Sequence, residues 1–429
     1  MGTMGFGPEL MMVTQRSAIS IQRSAFDLAP GRRLLYPSGM ASDEATLGRI
    51  LAGFADESLA GPPVDWPPLI RRALDERVGP LLYSKLAGDP RLPERERSLL
   101  RAELYRAEAS SLVLYRELGR LLQRSAESGL EPPVLLKGGA LAASLYDEVG
   151  HRPMGDIDVL VRREELDRWL EIARKASFRR LSPEMSPGLD RAIHYHVALV
   201  GGKESEATIE LHYGLIAGES DWRAPDPRWF LERTEEWRPP PSASSSSFFK
   251  GRQLDPTAHL LYLSAHAMLQ HGGSSARVIW FYDIQLLLSR WGGRIRWSEA
   301  LEQARAFHWD AALAAALERS RTLFRTPLPP GLLEELDVEP PDGDARGARE
   351  VRRRRDPGRG RADVVWGELR SVGIGRGLLW ALGILFPRPE YMRWRYPEAG
   401  RFWPAFYPVR WARVLREGSR ALLRKRPAG

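Results

Sequence analysis

Between residues 43 and 128, apolar side chains return every three or four positions: Leu47, Ile50, Leu51 and Phe54, then Ile70, Leu74 and Val78, then Leu100, Leu104, Leu112, Tyr115, Leu118 and Leu122. That period lines one face of a helix and predicts a helical layer packed against a following sheet. The period then changes. Val134–Leu136 is a short unbroken apolar run of the kind a buried strand makes, and Ala140–Tyr146 predicts a helix. After a turn through Gly150 and Pro153, Asp156, Ile157 and Asp158 open a second strand. Glu164–Ala176 predicts a helix whose apolar set is Leu166, Trp169, Leu170 and Ile172. Two strands follow, over 194–200 and 207–215. In the second, Ile209, Leu211 and Tyr213 alternate with Glu210 and His212, and Gly201-Gly202 with the KESE stretch predicts a hairpin turn between the two.

Beyond these strands, Pro239–Ser247 (PPPSASSSS) reads as a linker, and helical spacing returns over 255–324. Residues 338–362 carry almost no apolar side chains and are expected to be mobile. The tail from Val364 sets Trp366, Trp380, Trp394, Trp403 and Trp411 among many arginines. The fold class is therefore α+β, a small mixed β-sheet with flanking helices plus N-terminal and C-terminal helical regions.

Composition narrows the chemistry. Hydrophobic residues make up 43% and charged residues 28% of the 429, as in an ordinary soluble protein. The net charge of +8 rests on arginine, because Lys85, Lys137, Lys175, Lys203, Lys250 and Lys425 are the only lysines. So uniform a preference reads as compositional bias, and it makes Lys137 conspicuous as a point-charge donor. The absence of cysteine excludes disulfides, zinc–thiolate sites and a thiol nucleophile, and suits a reducing compartment; the expected location is cytoplasmic. Residues 1–40 lack the apolar core of a secretory leader. The longest apolar run near the C-terminus, 377–386, is about half of what a spanning helix needs, so no membrane span is expected.

The candidate chemistry sits between Val134 and Val161. Strand alternation sends Asp156 and Asp158 to the same side, roughly 6–7 Å apart along the backbone. Two carboxylates that close repel unless a cation lies between them. Gly138 and Gly139 open a helix, where bare N–H groups and a positive helix end suit a phosphate. Lys137 and Arg152 either reach phosphates or neutralise the aspartates. Phosphoryl and nucleotidyl transfer need positioned charge, often two metal ions about 3.5–4 Å apart, and commonly a third carboxylate from a neighbouring strand. Glu210 is the leading third; Glu204 and Glu206 are alternatives placed in or beside the turn. His212 shares the face of Glu210 and could orient an acceptor or act as a base. His194 and His196 alternate on one strand. His266 and His271 lie five apart, off the three- or four-residue spacing of a shared α-helix face, and read as histidines beside a cleft. Replacing either aspartate with asparagine is expected to abolish turnover and to leave metal-free stability unchanged or higher, since repulsion is relieved. A D-x-D or a Gly-Gly pair alone arises by chance; strand, Gly-Gly, helix and D-x-D in one segment is far more specific.

The stretch LLKGGALAASLYDEVGHRPMGDIDVLV resembles the nucleotidyltransferase superfamily of the DNA polymerase beta type. More closely, it is similar to an uncharacterised bacterial nucleotidyltransferase family with a KG…R…DIDLLV core. Ile209-Glu210-Leu211-His212 matches that family's I-E/D-L-H strand. His266, His271, Asp283, Ile284, Leu287 and Leu288 match a later helical pattern, and Phe386, Pro387, Glu390, Tyr391, Met392, Arg393, Arg395, Tyr396 and Pro397 match a closing one. The resemblance covers roughly residues 67–400. It implies that Gly138 and Gly139 hold a triphosphate, that Asp156 and Asp158 hold magnesium, and that Glu210 completes the carboxylates. Lys137 and Arg152 join the nucleotide-binding set, and His212 the catalytic one.

The implied organisation is a flexible arm over 1–42, a helical layer over 43–130, a nucleotidyltransferase core over 131–240, a helical acceptor-side domain over 248–337, a mobile basic linker over 338–363 and a helical basic region over 364–429. The implied function is Mg2+-dependent transfer of an NMP, with two ions and an NTP co-substrate, to a hydroxyl-type acceptor in a small molecule, a protein or an RNA end. The competing reading is a nucleotide- or nucleic-acid-binding module acting through its basic C-terminal region, and nucleic acid is the less favoured partner. A D-x-D sugar-nucleotide transferase would need a long alternating β/α domain before the motif, which this chain lacks. No residue identifies the base, the acceptor or a partner protein.

Overall fold

In the computed structural model, which describes residues 39–59, 64–186, 190–202, 207–216, 225–240, 251–271, 276–336 and 382–424, helices come first. They are α1 (Gly39–Leu51), α2 (Ala55–Leu59), α3 (Trp66–Asp75), α4 (Gly79–Leu86) and the 34-residue α5 (Glu94–Glu127). Prolines in the first turns of α3 and α4 fit positions whose N–H groups have no intrahelical acceptor. Glu94 and Glu96 suit the positive end of α5.

The sheet follows: β1 (Val134–Leu135), α6 (Lys137–Ser144), β2 (Ile157–Leu160), α7 (Leu166–Lys175), β3 (Phe178–Arg180), α8 (Asp190–Ile193), β4 (His196–Gly201), β5 (Ala207–His212), α9 (Arg228–Leu231), β6 (Thr234–Trp237) and β7 (Gly251–Leu254). Its seven strands run in the order β3-β4-β5-β2-β1-β7-β6 and are mixed in direction. β2 is parallel to β5 and antiparallel to β1, while β4 and β5 form the expected hairpin. The KESE turn itself lies outside the described residues, as do Glu204 and Glu206.

Helical structure then resumes in α10 (Pro256–Ala265), a π turn over His266–Gln270, α11 (Val278–Trp291), α12 (Trp297–Phe307), α13 (Asp310–Phe324) and α14 (Leu332–Leu336). Asp255 caps α10 by accepting from the Ala258 N–H at 2.9 Å. Past the described gap, α15 (Pro389–Arg395) and α16 (Tyr407–Arg424) gather around Met392, Tyr396 and Ala399. The serine-rich stretch 241–247 and the arginine-rich stretch 338–363 fall outside the described residues. Among the described residues no helix is long and apolar enough to cross a membrane.

The fold class is the expected α+β. The helical layer, however, divides between two cores. Leu114, Tyr115, Leu118 and Leu122 of α5 pack with Val159, Ile209 and Leu211 of the sheet. Residues of α1, α3 and α4 instead share a core with α10, α11 and α13. The reason lies in α10, whose ten residues are all buried: a helix apolar on every side needs cover from more directions than the sheet supplies.

Two boundaries also move for physical reasons. α6 begins at Lys137 rather than Ala140, because it packs too closely on the first residue of β2 and the segment leading into it for side chains at its first turn. A methyl group at Gly139 would lie 3.0 Å from Ile157 Cγ2, and one at Gly138 3.3 Å from the Arg152 guanidinium. Packing therefore overrides the poor helix propensity of the two glycines. β5 stops at His212 because the next two N–H groups, of Tyr213 and Gly214, turn to the Tyr195 carbonyl at 2.9 and 3.0 Å.

Candidate active site

Parallel pairing of β2 with β5 sets Asp158 directly beside Glu210, and antiparallel pairing of β4 with β5 sets His196 beside His212. The first pair puts two carboxylates on neighbouring strands at one sheet level. His212, two residues beyond Glu210 on the same face, reaches back between them. Its Nε2 lies 2.8 Å from Asp158 Oδ1 and 3.3 Å from Glu210 Oε2. Both acceptors are carboxylates, so Nε2 carries the proton. Lys137, at the start of α6, places its Nζ 2.7 Å from the same Asp158 oxygen. Lys137 does so with a φ of +45°, in the left-handed region that non-glycine residues seldom occupy. The Leu136 N–H donates to the Asp158 carbonyl at 3.0 Å, which ties the entrance of α6 to β2.

The electrostatics follow from burial and company. Burial works against the charge on Asp158, yet Lys137 and His212 overcome it and hold the carboxyl well below its usual range. Burial likewise opposes the Lys137 ammonium, and Asp158 more than offsets it, so the amine stays protonated. For His212, burial pulls down while the hydrogen bonds to Asp158 and Glu210 push up, and the net shift is upward. Glu210 is held low against its own burial by His196 and His212. His196 goes the other way: burial drives it down to about 4, and its ring stacks on His212 with centroids 5.2 Å apart.

Asp156 stands one residue before β2 and is half-buried. Burial first, then the charges of Asp158 and Glu210, push its carboxyl up. It is thus the carboxylate whose charge the neighbourhood compensates least.

These residues fit a divalent cation. Among the described residues, Asp158, Glu210 and His212 offer one ligand atom each within 4.8 Å of one another. Carboxylate oxygens suit a hard ion, and the Lys137 ammonium already draws against Asp158 as a cation would. His212 closes the set in space, but its Nε2 carries the proton it shares with the carboxylates, so the ligand oxygens are those of Asp158 and Glu210, and Asp156 joins the cluster through its charge.

The remaining predicted residues divide. Gly138 and Gly139 do stand in the first turn of α6, where no side chain caps the helix and N–H groups lack intrahelical acceptors. Their missing side chains serve packing against Arg152 and Ile157, and the Tyr115 hydroxyl donates to the Gly139 carbonyl at 2.9 Å. Arg152 is committed elsewhere. It grips Asp283 of α11 with three hydrogen bonds, Nε to Oδ1 at 2.8 Å and to Oδ2 at 3.1 Å and Nη2 to Oδ2 at 2.7 Å, and Tyr146 donates to the same carboxylate at 2.6 Å. Asp283 is fully buried and Arg152 only 5% exposed, so this pair joins the sheet domain to the second helical segment.

His266 and His271 meet despite their spacing. The π turn brings residues five apart to one face, and their ring centroids are 4.6 Å apart. Both also pack on Trp280. Sequence reasoning missed two residues. Tyr262 of α10 buries a hydroxyl with no hydrogen-bond partner among the described residues, within electrostatic reach of Lys137, Asp158 and Glu210. Arg77, just past α3, lies against Gly155, the neighbour of Asp156. Neither had a signal: each is one residue in a helical stretch, and only the packing of helices over the sheet delivers it.

Comparison with known proteins agrees with this geometry. The family model described as "Uncharacterised nucleotidyltransferase" matches residues 62–325, more than half of the chain, and that span contains every residue of the acidic cluster. No curated protein and no solved structure matches. The chain belongs to this family of uncharacterised nucleotidyltransferases.

Proposed function

We propose that the protein transfers a nucleoside monophosphate from a nucleoside triphosphate to a hydroxyl-type acceptor, in the manner of the DNA polymerase beta type. The observation that carries this reading is the register of β2 and β5, which sets Asp158 beside Glu210 with His212 between them, facing the first turn of α6. In the reaction, the acceptor oxygen bonds to the α-phosphorus. The bond from that phosphorus to the bridging oxygen breaks, and pyrophosphate leaves with the electron pair.

Asp158 and Glu210, with Asp156 beside them, would hold the divalent ions, two of magnesium on this reading, while His212 keeps its Nε2 proton and holds the two carboxylates in place. When bound, these supply positive charge to the phosphate oxygens. Lys137 adds a fixed ammonium at the same edge, and the first-turn N–H groups of Gly138 and Gly139 offer donors to phosphate oxygens. Asp156, one residue before β2 and beside Asp158, is the carboxylate placed to take the acceptor's proton. His212 donates through Nε2 and so orients its neighbours rather than acting as a base at that nitrogen.

Purified protein incubated with each labelled NTP, magnesium and a cell lysate should pass label to one fraction: protein, RNA or small molecule. The fraction names the acceptor class. Failure to label any fraction with all four NTPs would count against the reading.

A further inference from the structure

Two arginines flank a hydrogen bond that joins distant parts of the chain. Glu76, at the end of α3, accepts from the Val278 N–H at the start of α11 at 2.7 Å, and Glu76 also pairs with Arg72 at 2.9 Å. The residue after Glu76 is Arg77 and the residue before Val278 is Arg277, so the clasp brings two arginines to one junction, within electrostatic reach of each other. Like charges placed together cost free energy unless an anion shares them.

The fold supplies only distant compensation, from Asp156 towards Arg77 and from Glu76 towards Arg277. Among the described residues, no carboxylate lies within salt-bridge distance of either guanidinium; Arg277 instead lies over the Trp280 ring at 5.8 Å. Arg77 is directed at the acidic site: a methyl group built on Gly155 would lie 3.6 Å from its Nη1 and 3.8 Å from its Nη2. It holds this place with a φ of +58°, a left-handed conformation that glycine adopts freely and arginine does not. Burial, then the charge of Arg277, lowers the Arg77 guanidinium to about 10, while Asp156 works in the opposite sense.

We infer that Arg77 and Arg277 form the seat for the outer phosphates of the nucleoside triphosphate, and that the same pair holds the pyrophosphate as it leaves. The inference rests on the proposed reaction. It assigns the two ends of the substrate to different parts of the chain: the α-phosphate to the acidic cluster on the sheet, and the outer phosphates to the junction of α3 and α11. Guanidinium groups suit multidentate phosphate binding, and Arg77 lies against Gly155, the neighbour of Asp156.

The test uses the full chain and inorganic tripolyphosphate, titrated calorimetrically in chelator-treated buffer at fixed salt, so that metal binding at the carboxylates plays no part. Arg77→Gln and Arg277→Gln should each weaken tripolyphosphate by about tenfold or more, the scale of a lost hydrogen bond between charged groups. Arg77→Gly removes the guanidinium and the unfavourable φ together. Its thermal stability should match or exceed that of the parent while its tripolyphosphate affinity falls with that of Arg77→Gln. Unchanged affinity in the Arg77 and Arg277 variants would overturn the inference, as would a parent protein that binds tripolyphosphate no better than sulfate. Arginine-dependent tripolyphosphate binding in a protein that transfers no nucleotide would uphold the seat and remove the reaction, so the two claims fail separately.

Discussion

Asparagine at Asp156 and asparagine at Asp158 should have opposite effects on the metal-free protein. Read from D-x-D alone, either exchange relieves repulsion and leaves stability unchanged or higher. The structure separates them. Asp158 accepts from Lys137 at 2.7 Å and from His212 at 2.8 Å, and only 5% of it is exposed. Removing its charge leaves the Lys137 ammonium buried without its partner, and breaking a buried pair from one side costs about 3–5 kcal/mol. Asp156 is pushed up by burial and by Asp158 and Glu210, so its ionised form opposes folding. Asparagine there should leave stability unchanged or raise it by about 1 kcal/mol.

Urea denaturation in chelator at neutral pH would measure both variants against the parent, with the slope of the transition confirming that the same surface unfolds. Equal stability of the two variants, or a loss confined to Asp156→Asn, would refute the placement of Lys137 as the counter-charge of Asp158. Both variants should be catalytically impaired, so an activity loss without a stability loss at Asp156 separates chemistry from folding.

Two further outcomes follow from buried groups outside the cluster. Asp283→Asn should destabilise by about 3 kcal/mol, measured by denaturation, because it leaves the Arg152 guanidinium buried against a neutral partner. His259 is fully buried in α10, and burial holds its imidazole down at about 4. Its contribution to stability is complete above the unfolded value near 6.5 and is lost as pH falls from there towards 4. His259→Leu should flatten that part of the stability–pH curve; an unchanged slope would show that other groups set it.

The sequence carried the local features well and the long-range ones poorly. The alternation of Ile209, Leu211 and Tyr213 against Glu210 and His212 was enough to place both polar residues on one strand face, and the β2–β5 register then delivered them to Asp158. Lys137 and the glycines were legible as a strand-to-helix junction, although the helix took in the glycines because packing on Ile157 demanded them. Arg152 was visible as a basic residue near the motif, but its partner Asp283 stands 131 positions away and no local pattern connects them. The His266–His271 contact was hidden because it depends on a π turn, a departure from the helical period that a repeat of three and four cannot announce. Arg77 and Arg277 were invisible for a related reason: each is unremarkable in an arginine-rich chain until the bond from Val278 to Glu76 brings them to one junction.

The most direct measurement is pyrophosphate release with magnesium, an NTP and the fraction that accepts label, comparing the parent with Asp158→Asn. If Asp158 and its neighbours carry nucleotidyl transfer, the variant should lose at least about a hundredfold in rate, the scale of removing one preorganised electrostatic contact at a reacting phosphate. Pyrophosphate release by Asp158→Asn at the parent's rate would contradict a catalytic role for the cluster.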